Sequence, residues 1–171
     1  SEAPQIGQVE RWEVIRQEGG RLVLQIELNT EDGTRFEEFL VPTGEGIKRL
    51  NIKTKDGAKP ADADPAGTEP RFFIKTPLEV GTAWKNQDGR YEITAIDETV
   101  TVPAGTFTNC IEVTNKSESG KVTIVSLYAP GVGVVKRDET FPRPEGSMFD
   151  DRRKSRATLR LKEWKLAEAK P

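Results

Sequence analysis

ETVTVPAGTFTNCIEV, residues 98–113, followed after a polar turn by VTIVSLYAPGVGVVK, residues 122–136, decides the fold. β-Branched and apolar residues recur in both segments at the spacing of extended strands. Pro103-Ala104-Gly105 supplies a fixed φ and then a residue free to take a positive one, so the chain reverses there. The reversal predicts a hairpin in which Val100 and Val102 face Phe107 or Ile111. Ala129-Pro130-Gly131-Val132-Gly133 interrupts the next run. It reads as a bulge or corner, with the strand continuing through residues 134–137.

Working outward, the earlier chain repeats the pattern. Leu22, Leu24, Ile26 and Leu28 alternate with Arg21, Val23, Gln25 and Glu27, the clearest half-buried strand in the sequence. Residues 8–16, with Trp12 and Val14 in phase and Ile15 out of it, and residues 35–41 flank it, which predicts a three-stranded meander. Glu18-Gly19-Gly20 and Thr30-Glu31-Asp32-Gly33 are its turns. Residues 42–46 break the pattern, and residues 47–53 are a further strand. Residues 55–70, KDGAKPADADPAGTEP, lack periodicity and read as a long solvated loop. Asp62 and Asp64 alone fall short of the roughly six to eight oxygens of a calcium site. Residues 71–76 and 90–96 are strands, Trp84 lies between them, and residues 157–166 form a closing strand.

The composition sets limits on function. The 171 residues carry 32% charged and 35% hydrophobic side chains. This balance suits a sheet with one wet face. A net charge of -2 shows no basic excess, so nucleic acid is not an expected partner. No apolar run approaches the roughly 18–20 residues of a membrane-spanning helix. Histidine is absent, which removes the usual general base, the Ser–His and Cys–His pairs and most zinc sites. The single cysteine, Cys110, precludes an intrachain disulfide. Its β-branched and apolar neighbours mark it as a buried structural residue.

Among residues that bear chemistry, Asp97 and Glu98 are adjacent on a strand and so point to opposite faces. Arg152, Arg153, Lys154, Arg156 and Arg160 form a basic stretch suited to phosphate, an anionic lipid surface or an acidic partner; its simpler reading is a solvated face. Asn115-Lys116-Ser117 matches a glycosylation acceptor pattern too short to carry weight. Trp12, Trp84, Trp164, Phe72 and Phe73 are the candidate ligand-binding residues, able to line an apolar cavity if the sheet curls, and otherwise simply core.

PLEVGTAW at residues 77–84, ETVTVPAGTFTNCIEV and YAPGVGVVK at residues 128–136 together resemble a widespread group of uncharacterised bacterial exported proteins, many of them predicted lipoproteins, of unknown function. The resemblance covers the second half of the chain and lies in turn and corner residues. It implies an envelope location, periplasmic or at the cell surface, and a half-open β-barrel; it carries over no catalytic residue. The lipoprotein pattern also has an N-terminal Cys, which this sequence does not show.

These observations predict one all-β domain over residues 1–171, a strongly curved antiparallel sheet or partly closed β-barrel. The expected function is non-enzymatic, by binding or assembly with an envelope protein, with a peripheral membrane contact compatible. The alternative is a carrier of an apolar, lipid-like ligand in the concave face. No cofactor or metal is implied.

Overall fold

The computed structural model describes residues 10–18, 21–28, 35–52, 71–142 and 155–165. Among them are eleven β-strands and no helix, arranged as two sheets. The expected all-β antiparallel class is what the structure has. Its strands divide between the two sheets, and neither closes into a barrel. The chain parts into two compact units, residues 1–74 and 75–171. The long loop expected at residues 55–70 and the acids Asp62 and Asp64 lie outside the described residues.

The first sheet has the order β1(Glu10–Glu18), β2(Arg21–Leu28), β3(Arg35–Thr43), β4(Gly46–Ile52), β5(Arg71–Lys75). The antiparallel register pairs Trp12 with Ile26 and Leu22 with Leu40. Between Val14 and Arg16 the register of β1 shifts by one residue, leaving Ile15 opposite no partner. That bulge is the physical meaning of the imperfect alternation in this stretch.

The break expected over residues 42–46 is narrower than predicted. Strand β3 continues through Pro42 and Thr43, and only Gly44-Glu45 turns. Thr43 and Gly46 close the hairpin, and the Thr43 hydroxyl donates to the Gly46 carbonyl at 2.9 Å. Pro42 comes one residue before that closing pair. Its nitrogen therefore faces away from β4, beyond Leu40, the last β3 residue with a described partner on β2, so it interrupts no ladder bond among the described residues.

The second sheet has the order β11(Ser155–Arg160), β10(Gly133–Phe141), β9(Thr123–Ala129), β8(Gly105–Lys116), β7(Gly89–Val102), β6(Ala83–Asn86). Gln87-Asp88 joins β6 to β7. Asn86 and Gly89 close that two-residue hairpin, and Gly89 also lies against the Lys116 carbonyl of β8, where a Cβ has no room. The chain at residues 129–133 differs from expectation. Pro130-Gly131-Val132 reverses the chain, so β9 and β10 are antiparallel neighbours instead of one kinked strand. Gly131, at φ 71°, takes the left-handed conformation that this tight reversal needs. The bulge appears a few residues later, between Val134 and Lys136.

Strand β8 pairs with β9 only from Ile111 to Lys116, so the outer half of the β7–β8 hairpin overhangs. The register of this hairpin shifts three times between Ile93 and Val100. Asp97 and Asn109 there take left-handed backbone angles, φ 59° and 54°. Each bulge bends and twists its strand locally. Beyond it, Val100, Val102 and Cys110 are buried with Ala129 and Val135, and Ala104, Phe107, Leu127, Val132 and Leu161 pack around them. Val100 stands opposite Phe107, as the hairpin pattern predicts.

Candidate functional site

The two faces of the second sheet differ in chemistry. One buries Ile93, Val113 and Ser126, consecutive partners across β7, β8 and β9. The next row on that face is Trp84, Tyr91 and Asn115, with the Trp84 and Tyr91 rings stacked at 5.5 Å. The other face is polar at Thr94, Glu112 and Thr114 and apolar at Val125 and Leu127, the last packing on the buried cluster. Thr94 donates to Glu112 at 2.7 Å and lies 3.0 Å from the Thr114 hydroxyl.

The aromatic residues singled out from sequence are distributed as follows. Trp12 lies on β1, at a position whose side chain is outside the described residues. Phe72 and Phe73 are successive residues of β5 and so project to opposite sides. Phe72 is buried, with the Lys48 ammonium 5.8 Å from its ring centre. Trp84 is buried on β6 against Tyr91. Trp164 is 43% exposed on the segment that follows β11, edge-on to Phe107 at 6.1 Å. Phe107 and Asn115, the partner of Tyr91, stand eight residues apart on β8, so Trp84 and Trp164 serve separate packing groups.

Asn115 and Cys110 are both buried, the latter as its neighbours in the sequence predict. Asn115 is only 7% exposed, which leaves no room for a glycan on it in the folded chain. Its Nδ2 is buried without a hydrogen-bond partner. Cys110 is 0% exposed, with its Sγ 3.9 Å from the Thr108 carbonyl. Burial pushes the Cys110 thiol above its ordinary pKa, and the Glu98 carboxylate across the strand pair adds to the shift. Such a thiol stays protonated and is a poor nucleophile. Among the described residues, no group of three or more Cys, Asp or Glu is placed to hold a metal ion.

Strands β1, β5, β6 and β11 end the two sheets, and of these β11 carries the basic residues Arg156 and Arg160 on one face. It pairs with β10 in unbroken register from Ser155 opposite Phe141 to Arg160 opposite Lys136. The Leu161 amide donates to the Val135 carbonyl at 2.9 Å, continuing the ladder by one bond. In an antiparallel pair, alternate residues bond inward. The Leu161 amide and the backbone groups of Leu159 and Ala157 therefore turn toward β10. Arg156, Thr158 and Arg160 turn theirs outward, and among the described residues nothing pairs with them on that side. The strand ends because the Leu161 carbonyl accepts from the Ala104 amide at 3.1 Å, carrying residues 161–165 across to the tip of the β7–β8 hairpin.

The side chains of Arg156, Thr158 and Arg160 project together on the face that carries Thr94 and Glu112 and are exposed. Thr158 donates to Asp138 at 2.7 Å, and Lys136 approaches the same carboxylate at 2.8 Å. Burial alone would raise the Asp138 pKa. The hydrogen bonds from Lys136 and Thr158, with the Lys136 and Arg160 charges, outweigh it and hold the carboxyl below its usual range.

Sequence reading marked Arg156 and Arg160 only as part of a charge run. It missed Thr158 and Asp138. The available signal was the alternation in RATLR, which places Arg, Thr and Arg on one face of a strand. Comparison of the chain with protein-family models, with curated proteins and with solved structures finds no match.

Proposed function

We propose that this protein is a non-enzymatic binding or assembly module of the cell envelope, and that it engages its partner protein through the outer edge of β11. The observation that carries this reading is the row of outward backbone amides and carbonyls at Arg156, Thr158 and Arg160. An exposed edge of this kind is a template for one more strand, the mode by which several peptide-recognition domains bind. The envelope location draws its support from the likeness of the turn and corner motifs to those of exported bacterial proteins. Separate packing of Trp84 and Trp164 in the second unit favours protein binding over carriage of an apolar ligand.

The test is site-specific photocrosslinking in envelope fractions of the native host. A photoreactive residue at Arg156 or Thr158 captures a discrete partner, and the same residue at Thr94, on the same face away from the edge, does not. Adducts of equal yield at all three positions, or none at the β11 positions, defeat the proposal.

A further inference from the structure

We infer that the segment docking on β11 is an acidic, extended strand of a partner protein. This rests on the reading of β11 as a docking edge and adds the chemistry of what docks there. Residues 152–165 hold seven Lys or Arg and a single acid, Glu163, a local charge of +6 in a chain whose net charge is -2. The remaining residues, Asp150 and Asp151 among them, therefore sum to -8, so this stretch is a local excess of positive charge in an otherwise acidic chain.

The geometry places this charge where a bound strand would feel it. Arg156 and Arg160 flank Thr158 on one face, two residues to either side. A paired strand sets its side chains opposite or diagonal to these, within reach of long side chains. Among the described residues the acid beside them on this face is Asp138, which is held chiefly by hydrogen bonds from Lys136 and Thr158; Arg160 acts on it through charge alone, so both guanidinium groups keep donors for an incoming carboxylate. Acidic side chains at alternate positions of the incoming strand would meet both guanidinium groups while its backbone completes the ladder.

Two other occupants fit less well. A second copy pairing β11 with β11 antiparallel about Thr158 would set Arg156 opposite Arg160 twice, and like charges directly opposite are destabilising. An anionic lipid surface would answer the arginines but supplies no matching row of donors and acceptors for the outward backbone groups.

The test uses the full chain and a short fluorescent peptide alternating Glu with Thr and Val, read by anisotropy. Controls are its Gln-for-Glu counterpart, a version N-methylated at alternate amides, and vesicles containing phosphatidylglycerol. The acidic peptide is expected to bind. Thr158→Pro, which removes one outward amide at an edge position that tolerates proline, weakens it by about tenfold or more. Thr158→Val, which keeps that amide but takes the hydroxyl from Asp138, weakens it clearly less than Thr158→Pro does. Arg156→Gln with Arg160→Gln costs about five- to tenfold and removes most of the salt dependence. The N-methylated peptide fails to bind the unmodified protein, which tests the edge even if the proline variant misfolds.

Equal binding of the Gln peptide overturns the acidic chemistry and leaves the docking edge standing. Undiminished binding of the N-methylated peptide, or of a folded Thr158→Pro variant, overturns the docking edge itself. Binding of the vesicles with neither peptide bound overturns both in favour of a membrane surface.

Discussion

The amide of Ala104 donates to the carbonyl of Leu161 at 3.1 Å, fastening the tip of the β7–β8 hairpin to the segment that leaves β11. Leu161 packs against the buried cluster of Val100, Val102 and Cys110, and Trp164 meets Phe107 edge-on. The overhanging half of the hairpin thus depends on residues more than fifty positions later. Leu161→Ala is expected to cost about 1–3 kcal/mol, as a half-buried version of a core truncation. Trp164→Ala is expected to cost about 1 kcal/mol, through the lost aromatic pair and partial burial. Urea unfolding measures both. In hydrogen exchange, amides of residues 98–110 should lose protection before those of residues 111–116.

Gly89 is the least replaceable residue of the β6–β7 turn. A methyl group there would collide with the Lys116 carbonyl oxygen and come within 2.9 Å of its carbon. The obstacle is backbone of a neighbouring strand, which has no rotamer to yield. Gly89→Ala should lose about 3 kcal/mol, the upper end of the range for overpacking. Gly105 makes the contrast, since nothing lies within 4 Å of a Cβ built there. A loss at Gly105→Ala would come from its positive φ of 133° alone and should be smaller, about 1–2 kcal/mol. Paired denaturation curves decide whether contact or conformation dominates.

Asn109 holds a left-handed backbone at the bulge where the hairpin bends. Asn tolerates that region better than most residues with a side chain, and Gly tolerates it at no steric cost. Asn109→Gly should change stability by less than about 0.5 kcal/mol, while Asn109→Val should lose about 1–2 kcal/mol. Equal stability of the two variants would show that the bend does not require the left-handed residue.

Cys110 should resist thiol reagents in the folded protein and react on unfolding. Its folded pKa is raised, so its contribution to stability is complete below the unfolded thiol value of about 8.5. That contribution is lost as pH rises through the higher folded value. Cys110→Ala removes this alkaline loss. Cys110→Ser adds a hydroxyl to an apolar cluster and should cost about 1–3 kcal/mol if it finds no partner. Rapid labelling of the native thiol would contradict the burial.

Asp138 titrates in the opposite sense. Its folded pKa lies below the unfolded value of about 3.9. Its contribution is therefore present above that pH and lost as the pH falls through the folded value. The side chain is 42% exposed, so solvent screens the pair and the effect is small. Asp138→Asn should flatten the acid limb of the stability curve and leave the shape of its alkaline limb unchanged. An unchanged acid limb would show that Lys136 and Thr158 contribute nothing to holding the charge.

Strand existence was legible because it rests on local physics. Leu22, Leu24, Ile26 and Leu28 alternate, and β2 runs over the residues that alternation marks. Val100 and Phe107 face each other because Pro103 and Gly105 sit where a reversal needs them. The imperfect phase of Val14 and Ile15 was already the mark of a bulge. Sequence also identified Cys110 as buried.

What lay beyond sequence was relational. Local pattern does not say whether Pro130-Gly131 kinks a strand or reverses it, because both uses need the same residues. The register between β9 and β10 decided it. Nor does pattern say which strand ends a sheet. Arg156 and Arg160 read as ordinary solvated charge until the strand order left β11 with one unpaired side and Asp138 already occupied by Thr158 and Lys136. Periodicity and turn chemistry are properties of neighbours in the chain, so the sequence by itself determined the all-β class and most of the strands. Partition into two sheets, burial of the overhanging hairpin and exposure of one basic edge depend on pairings between distant residues, and only the tertiary structure decided those.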